Sequence, residues 1–222
     1  MLRLWLAFLM SVVFAACTQE SYDTGDGTYS YLRADFAEAY TNSQKQFTSA
    51  ITDDGDSLVF ASPVTTTWAA QTDTVYRCLV YYDYGSRPVK VQAVARVLTP
   101  NVHRAEDLDT VPNTDPLNIN SVWRSANGKY LNLGVTVLTG QADEETGAQT
   151  IGVVCDSVTI NDDGHRSAHL RLTHDQNGVP QYYSASAYVS IPTARLPFVP
   201  ADGDQVLITV NTYDGVIVRS FY

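Results

Sequence analysis

Beyond its first sixteen residues, this chain has no long window in which apolar residues recur at helical spacing, and that excludes a helical architecture. Positive charge is scarce too. Fourteen basic residues face 24 acidic ones, for a formal net charge of -10, which disfavours nucleic acid or any other polyanion as a partner. Common catalytic signatures are absent: no G-x-S-x-G elbow, no H-E-x-x-H, and no phosphate-cradling glycine loop ahead of a helix. Two carboxylates across a cleft hydrolyse glycosides without any linear motif, so a cryptic hydrolase acting on glycan stays open beside a non-enzymatic binding protein. No catalytic residue, cofactor or metal ligand is assigned.

What is present begins with a short apolar run. Arg3 supplies the charge, LWLAFLMSVVF is too short to span a bilayer comfortably, and the small residues Ala15 and Ala16 precede Cys17. This is the form of a lipoprotein signal, expected to cover residues 1–16. Cleavage there leaves Cys17 to carry the lipid, and two or three acyl chains at ~0.8 kcal/mol per buried CH₂ hold a protein far better than one. Residues 17–28, with Glu20, Asp23 and Asp26, read as an acidic tether. The expected partner of Cys17 is a membrane, and the expected location is the outer membrane, at its periplasmic face or the cell surface.

Three cysteines in all leave two for the exported part. Cys78 and Cys155 each sit in an apolar strand-like run in different halves of the chain, and buried free thiols are the favoured reading.

β-branched and aromatic residues between glycine and aspartate punctuation make the chain all-β. Residues 29–104 carry about five short strands, which fit a small closed OB-like barrel, since closure removes sheet edges. Asp54-Gly55 marks a tight turn there. In VYRCLVYYDY, alternation sets Tyr76, Cys78, Val80, Tyr82 and Tyr84 against Arg77, Leu79 and Tyr81. In VKVQAVARV, Val89, Val91, Ala93, Ala95 and Val97 are expected inside. Residues 105–116, rich in proline and acid, read as a linker.

Residues 117–222 read as a run of hairpins forming an antiparallel β-sandwich. Asn127-Gly128, Asn177-Gly178 and Asp214-Gly215 are the expected hairpin turns. Inner faces are expected to carry Leu131, Leu133, Val135 and Val137, then Leu170 and Leu172, then Tyr183, Ala185, Ala187 and Val189.

Two further constellations bear on chemistry. His165, His169 and His174 lie within ten residues, but on a strand the first two are ~13 Å apart and the third points to the other face, which argues against a shared metal. OB-like barrels bind oligosaccharide or single strands through aromatic platforms beside basic groups, and Tyr81, Tyr82 and Tyr84 near Arg87 and Lys90 supply those residue types. The plain alternative is that these tyrosines pack on the core with their hydroxyls at the rim.

CTQESYDTGDG, VYRCLVYYDY, TDPLNINSVWRSANGKYLNLGV, HLRLTHDQNGVPQYYSASAYVSIP and DQVLITVNTYDGV together resemble the NigD-like lipoproteins of bacterial envelopes. The resemblance spans nearly everything from Cys17 onward and is carried by strands and turns rather than by a catalytic signature. It implies an N-terminal OB-type barrel followed by a C-terminal β-sandwich. The family takes its name from a bacteriocin-associated gene cluster, so an immunity or accessory role is implied by association. The expected function is that of a membrane-anchored, non-enzymatic binding or accessory module for an envelope protein or a glycan.

Overall fold

The computed structural model describes residues 31–141 and 147–221; the expected signal peptide, Cys17 and the whole of the tether lie outside the described residues. From Arg33 onward the chain forms one compact unit. It is built of strands β1 (Leu32–Thr41), β2 (Gln46–Thr52), β3 (Ser57–Thr65), β4 (Val75–Asp83), β5 (Lys90–Arg96), β6 (Val102–Arg104), β7 (Asn118–Arg124), β8 (Tyr130–Thr139), β9 (Thr150–Ile160), β10 (Arg166–Asp175), β11 (Tyr183–Pro192), β12 (Gln205–Thr212) and β13 (Gly215–Ser220). The fold is all-β, an OB-like barrel followed by a β-sandwich.

The barrel runs in the order β3-β2-β1-β4-β5. It is brought round by a parallel bridge between Phe60 and Val89, where Ala61 N donates to Val89 O at 2.9 Å and Val89 N to Val59 O at 2.8 Å. The Asp54-Gly55 turn joins β2 to β3 as its chemistry requires, with Gly55 at φ +90°. Tyr76, Cys78, Val80 and Tyr82 of β4 face a core that includes Ala37, Phe47, Leu58, Phe60 and Val89.

The expected phase of the next strand holds for only half its length. Tyr81 pairs with Ala93 and Tyr82 with Val91, so Gln92 is an extra residue opposite β4. This bulge inverts the alternation: Val89 and Val91 face the barrel, then Val94 does, while Ala93 is exposed.

The sandwich stacks a five-stranded sheet, β13-β12-β10-β9-β6, on a three-stranded one, β11-β8-β7. Between them lie Leu131, Leu133, Val135, Val189 and Ile191 from one side and Val153, Cys155, Leu170, Leu172, Val206, Ile208 and Val210 from the other. Each such side chain, fully buried, contributes roughly 1.5–3 kcal/mol. Tyr183, expected inside, is exposed.

Two of the three expected hairpins form, β7-β8 across Asn127-Gly128 and β12-β13 across Asp214-Gly215. The third is a correction. Asn177 and Gly178 do turn with φ +50° and +74°, but β11 leaves the sheet of β10 and pairs with β8. The chain then returns, so that β12 lies parallel to β10. The larger sheet is therefore mixed, since β6 also pairs parallel with β9. Residues 102–104 thus contribute to the sandwich, and within 105–116 Thr114 bridges to His174 while Asn113 O accepts from His174 N.

Candidate functional site: a cleft at the seam of barrel and sandwich

The outer face of β4 turns toward the sandwich, which is why a charged residue within that strand is buried. The Arg77 side chain is 1% exposed and meets Asp53 of the β2-β3 turn, with Nη1–Oδ1 2.6 Å and Nη2–Oδ2 2.7 Å. Its Nε donates to Ser190 Oγ at 3.2 Å and its Nη2 to Asn132 Oδ1 at 3.3 Å, and Ser190 Oγ donates to the same Asn132 oxygen at 2.6 Å. The guanidinium also lies 4.0 Å from the Tyr130 ring centroid and 5.2 Å from that of Phe36. One arginine therefore ties β4 and the β2-β3 turn of the barrel to β8 and β11 of the sandwich.

A second clamp lies beside it. Glu38 of β1 accepts from Lys129 Nζ and from the Tyr130 hydroxyl, each at 2.8 Å. Burial raises the Glu38 carboxyl, but the hydrogen bonds from Lys129 and Tyr130 outweigh it and hold the group below its ordinary value. Burial, followed by the bond to Glu38, pushes the Tyr130 phenol well above its own.

Against this seam opens a cleft of about 330 Å³ lined by Ala34, Asp35 and Phe36 of β1, Asp53 and Asp54 of the β2-β3 turn, and Trp123 to Ala126 at the end of β7. Phe36, Trp123 and Tyr188 pack edge to face, with centroids 5.3 Å (Phe36–Trp123), 5.1 Å (Phe36–Tyr188) and 6.2 Å (Trp123–Tyr188) apart. Asp35 Oδ2 accepts the Tyr82 hydroxyl at 2.6 Å. Asp54 accepts no hydrogen bond from the described residues, and the half-buried Trp123 indole N–H has no acceptor among them.

The structure brings only two of the residues proposed from sequence as a ligand surface into contact. Tyr82 is fully buried in the barrel core, and burial, with its bond to Asp35, raises its phenol far above the ordinary value. Tyr81 points to the opposite side of β4. Tyr84 and Arg87 do meet, at 5.3 Å, and the sequence reading missed Arg33, whose guanidinium lies 3.6 Å from the same ring. Lys90 is exposed at the start of β5. Of the histidines, His169 contacts Thr159 Oγ1 at 3.1 Å, whereas His174 is buried between Asp115 O and Gln149 Oε1, both at 3.2 Å. Among the described residues no cluster of three metal-ligating side chains occurs.

The seam residues were missed because Arg77, Asp53 and Trp123 are remote in sequence. The signal available was a charged residue within a run of apolar and aromatic strand residues, which demands a buried partner.

The family model for the NigD-like C-terminal β-sandwich domain matches residues 100–220, more than half of the chain. The chain belongs to the NigD-like family. Its fold is similar to that of several solved bacterial proteins. A NigD-like immunity protein from Bacteroides caccae shares 18% identity at a TM-score of 0.61, covering 84% of this chain and 91% of that one. A candidate toxin-related protein from Parabacteroides distasonis gives 21% and 0.61, covering 86% and 92%. A candidate lipoprotein from Bacteroides fragilis gives 12% and 0.57, covering 86% and 96%. At these identities the likeness carries the fold alone. A comparison with curated proteins finds no match.

Proposed function

We propose that this NigD-like chain is a lipid-anchored, non-enzymatic binding protein of the bacterial envelope, held to the outer membrane through acylated Cys17 and offering its barrel and sandwich as one rigid body to an envelope protein or a glycan. The carrying observation is the seam. Arg77 joins four elements of the two modules, so the cleft beside it is preformed, and a preformed surface loses little freedom when a partner binds. Support for the anchor comes from the Ala15-Ala16-Cys17 junction after an apolar run. Among the described residues no helix is long and apolar enough to cross a membrane.

A glycan hydrolase is the second reading, favoured by three aspartates, Asp35, Asp53 and Asp54, on one cleft. Against it, both oxygens of Asp53 are taken by Arg77 and one of Asp35 by Tyr82, which leaves Asp54 as the carboxylate with no partner among the described residues.

Fractionation of cells expressing the native chain or Cys17→Ala tests the anchor, with protease added to intact cells to distinguish the surface from the periplasmic face. Native protein in the membrane fraction and the variant released is the expected result. Equal membrane association of both overturns the anchor. Crosslinking in intact membranes tests the binding role, and repeated recovery of the bait alone counts against it.

A further inference from the structure

The seam cleft combines three chemistries that narrow its occupant. Trp123 and Phe36 give it an aromatic wall, and the Trp123 indole N–H is a donor with no acceptor among the described residues. Asp54, which accepts no hydrogen bond from the described residues, is an acceptor on the same lining. An apolar ligand would strip water from this carboxylate without replacing it, at a cost of a few kcal/mol. An anion would face Asp53 and Asp54, with Arg77 already paired to Asp53, an unfavourable balance. A divalent cation lacks a ligand set among the described residues.

A neutral sugar meets all three demands. Its hydroxyls donate to carboxylates and accept from an indole N–H, and its C–H face lies against an aromatic ring. At about 330 Å³ the cleft is at the small end of ligand sites, space for roughly one or two sugar rings. Arg77 fixes Asp53 and packs against Phe36 from behind, so the walls are in place before the ligand arrives.

We propose that the cleft between Asp54 and Trp123 is a glycan-binding subsite for one or two units of a neutral oligosaccharide, with Trp123 as the platform and Asp54 as a hydroxyl acceptor. This rests on the binding-protein reading above and names its partner class and its place.

The test is a binding screen of the whole chain from residue 18 onward against an array of neutral hexose and N-acetylhexosamine oligosaccharides in α and β linkages, followed by calorimetry on the hits. Oligolysine and oligogalacturonate serve as the cationic and anionic competitors. At least one neutral glycan is expected to bind, with a change in tryptophan fluorescence. Trp123→Ala is expected to weaken it about tenfold or more, equivalent to ~1.4 kcal/mol, while Trp123→Phe, which keeps a ring and loses the N–H, gives an intermediate loss. Asp54 is exposed, so Asp54→Asn keeps the fold while weakening binding, which guards against misfolding as the explanation of Trp123→Ala. Binding of oligolysine or oligogalacturonate in place of every neutral glycan overturns the proposal, as does no binding across the array. So does glycan binding indifferent to both Trp123→Ala and Asp54→Asn. Failure of the wider reading has a separate signature: the anchor falls with Cys17→Ala, and the binding role falls only if crosslinking in membranes also recovers no partner.

Discussion

Arg77 and Asp53, 24 residues apart in sequence, form a two-armed ion pair at 2.6 and 2.7 Å whose cation is 1% exposed and whose anion is 14% exposed. The pair joins the first part of β4 to the tip of the β2-β3 hairpin. Through Asn132 and Ser190 the same guanidinium reaches both β8 and β11.

Removing the cation strands the anion. Arg77→Ala leaves the Asp53 carboxylate without its cation and takes one of two donors from the Asn132 side-chain oxygen, and is expected to cost about 3–5 kcal/mol in urea unfolding. Arg77→Lys keeps the charge but loses the planar fork, so an intermediate loss is expected. A change below about 1 kcal/mol for Arg77→Ala would remove the seam as the element that joins the modules.

Asp204 sets an acid limit on the sandwich. Its carboxylate accepts from the Arg166 guanidinium at 2.6 Å and from the backbone N–H groups of Arg166 and Ala201 at 2.8 and 3.0 Å, tying the start of β10 to the start of β12. The Arg166 side chain, then those backbone donors, hold the carboxyl well below its ordinary value of 3.8. A lowered folded-state value means this contribution is complete above pH ~4 and is lost as pH falls toward the folded value. Asp204→Asn is therefore expected to destabilise near neutrality and to flatten the loss of stability between pH 5 and roughly pH 2, measured by thermal unfolding across that range. An unchanged acid limb in the variant would count against the assignment.

Tyr82 and Tyr84 part company under mutation. Tyr82→Phe removes the hydroxyl that Asp35 accepts inside the barrel and is expected to cost about 1 kcal/mol. Tyr84→Ala removes a ring that is 40% exposed and stacked by Arg33 and Arg87, for about 0.5–1 kcal/mol at most. In a spectroscopic titration Tyr82 should resist ionisation through pH 11, because burial and its bond to Asp35 both favour the phenol. Full ionisation of every tyrosine by pH 11 in the folded state would contradict its placement.

The two described thiols should be silent to a disulfide reagent at pH 8 until the protein unfolds. Cys78 and Cys155 are free and buried in the two separate cores. Burial pushes the Cys78 thiol up to about 12 and raises that of Cys155 as well, so little thiolate exists to react. Rapid native-state labelling of Cys78 would mean that the barrel opens readily.

What the linear pattern reveals depends on range. The Asn127-Gly128 and Asp214-Gly215 hairpins are legible because a two-residue turn needs only its own φ angles. Asn177-Gly178 has the same chemistry, yet its two strands enter different sheets. Its turn is local, but the choice of partner belongs to the open edge of β8, far away in sequence. In β5 the alternation of valine and alanine is readable and its phase is not, because the bulge at Gln92 arises from pairing with β4.

Sequence alone determined the all-β class, the order of barrel and sandwich, the positions of the tight turns and the kinship with NigD-like proteins, since strand period and turn chemistry are written between near neighbours. Only the tertiary structure decided that Arg77 is buried, that Tyr82 is core and that Trp123 shares a cleft with Asp35 and Asp54. Those outcomes depend on which outer face one module presents to the other, and strand alternation names two faces without saying what will cover either.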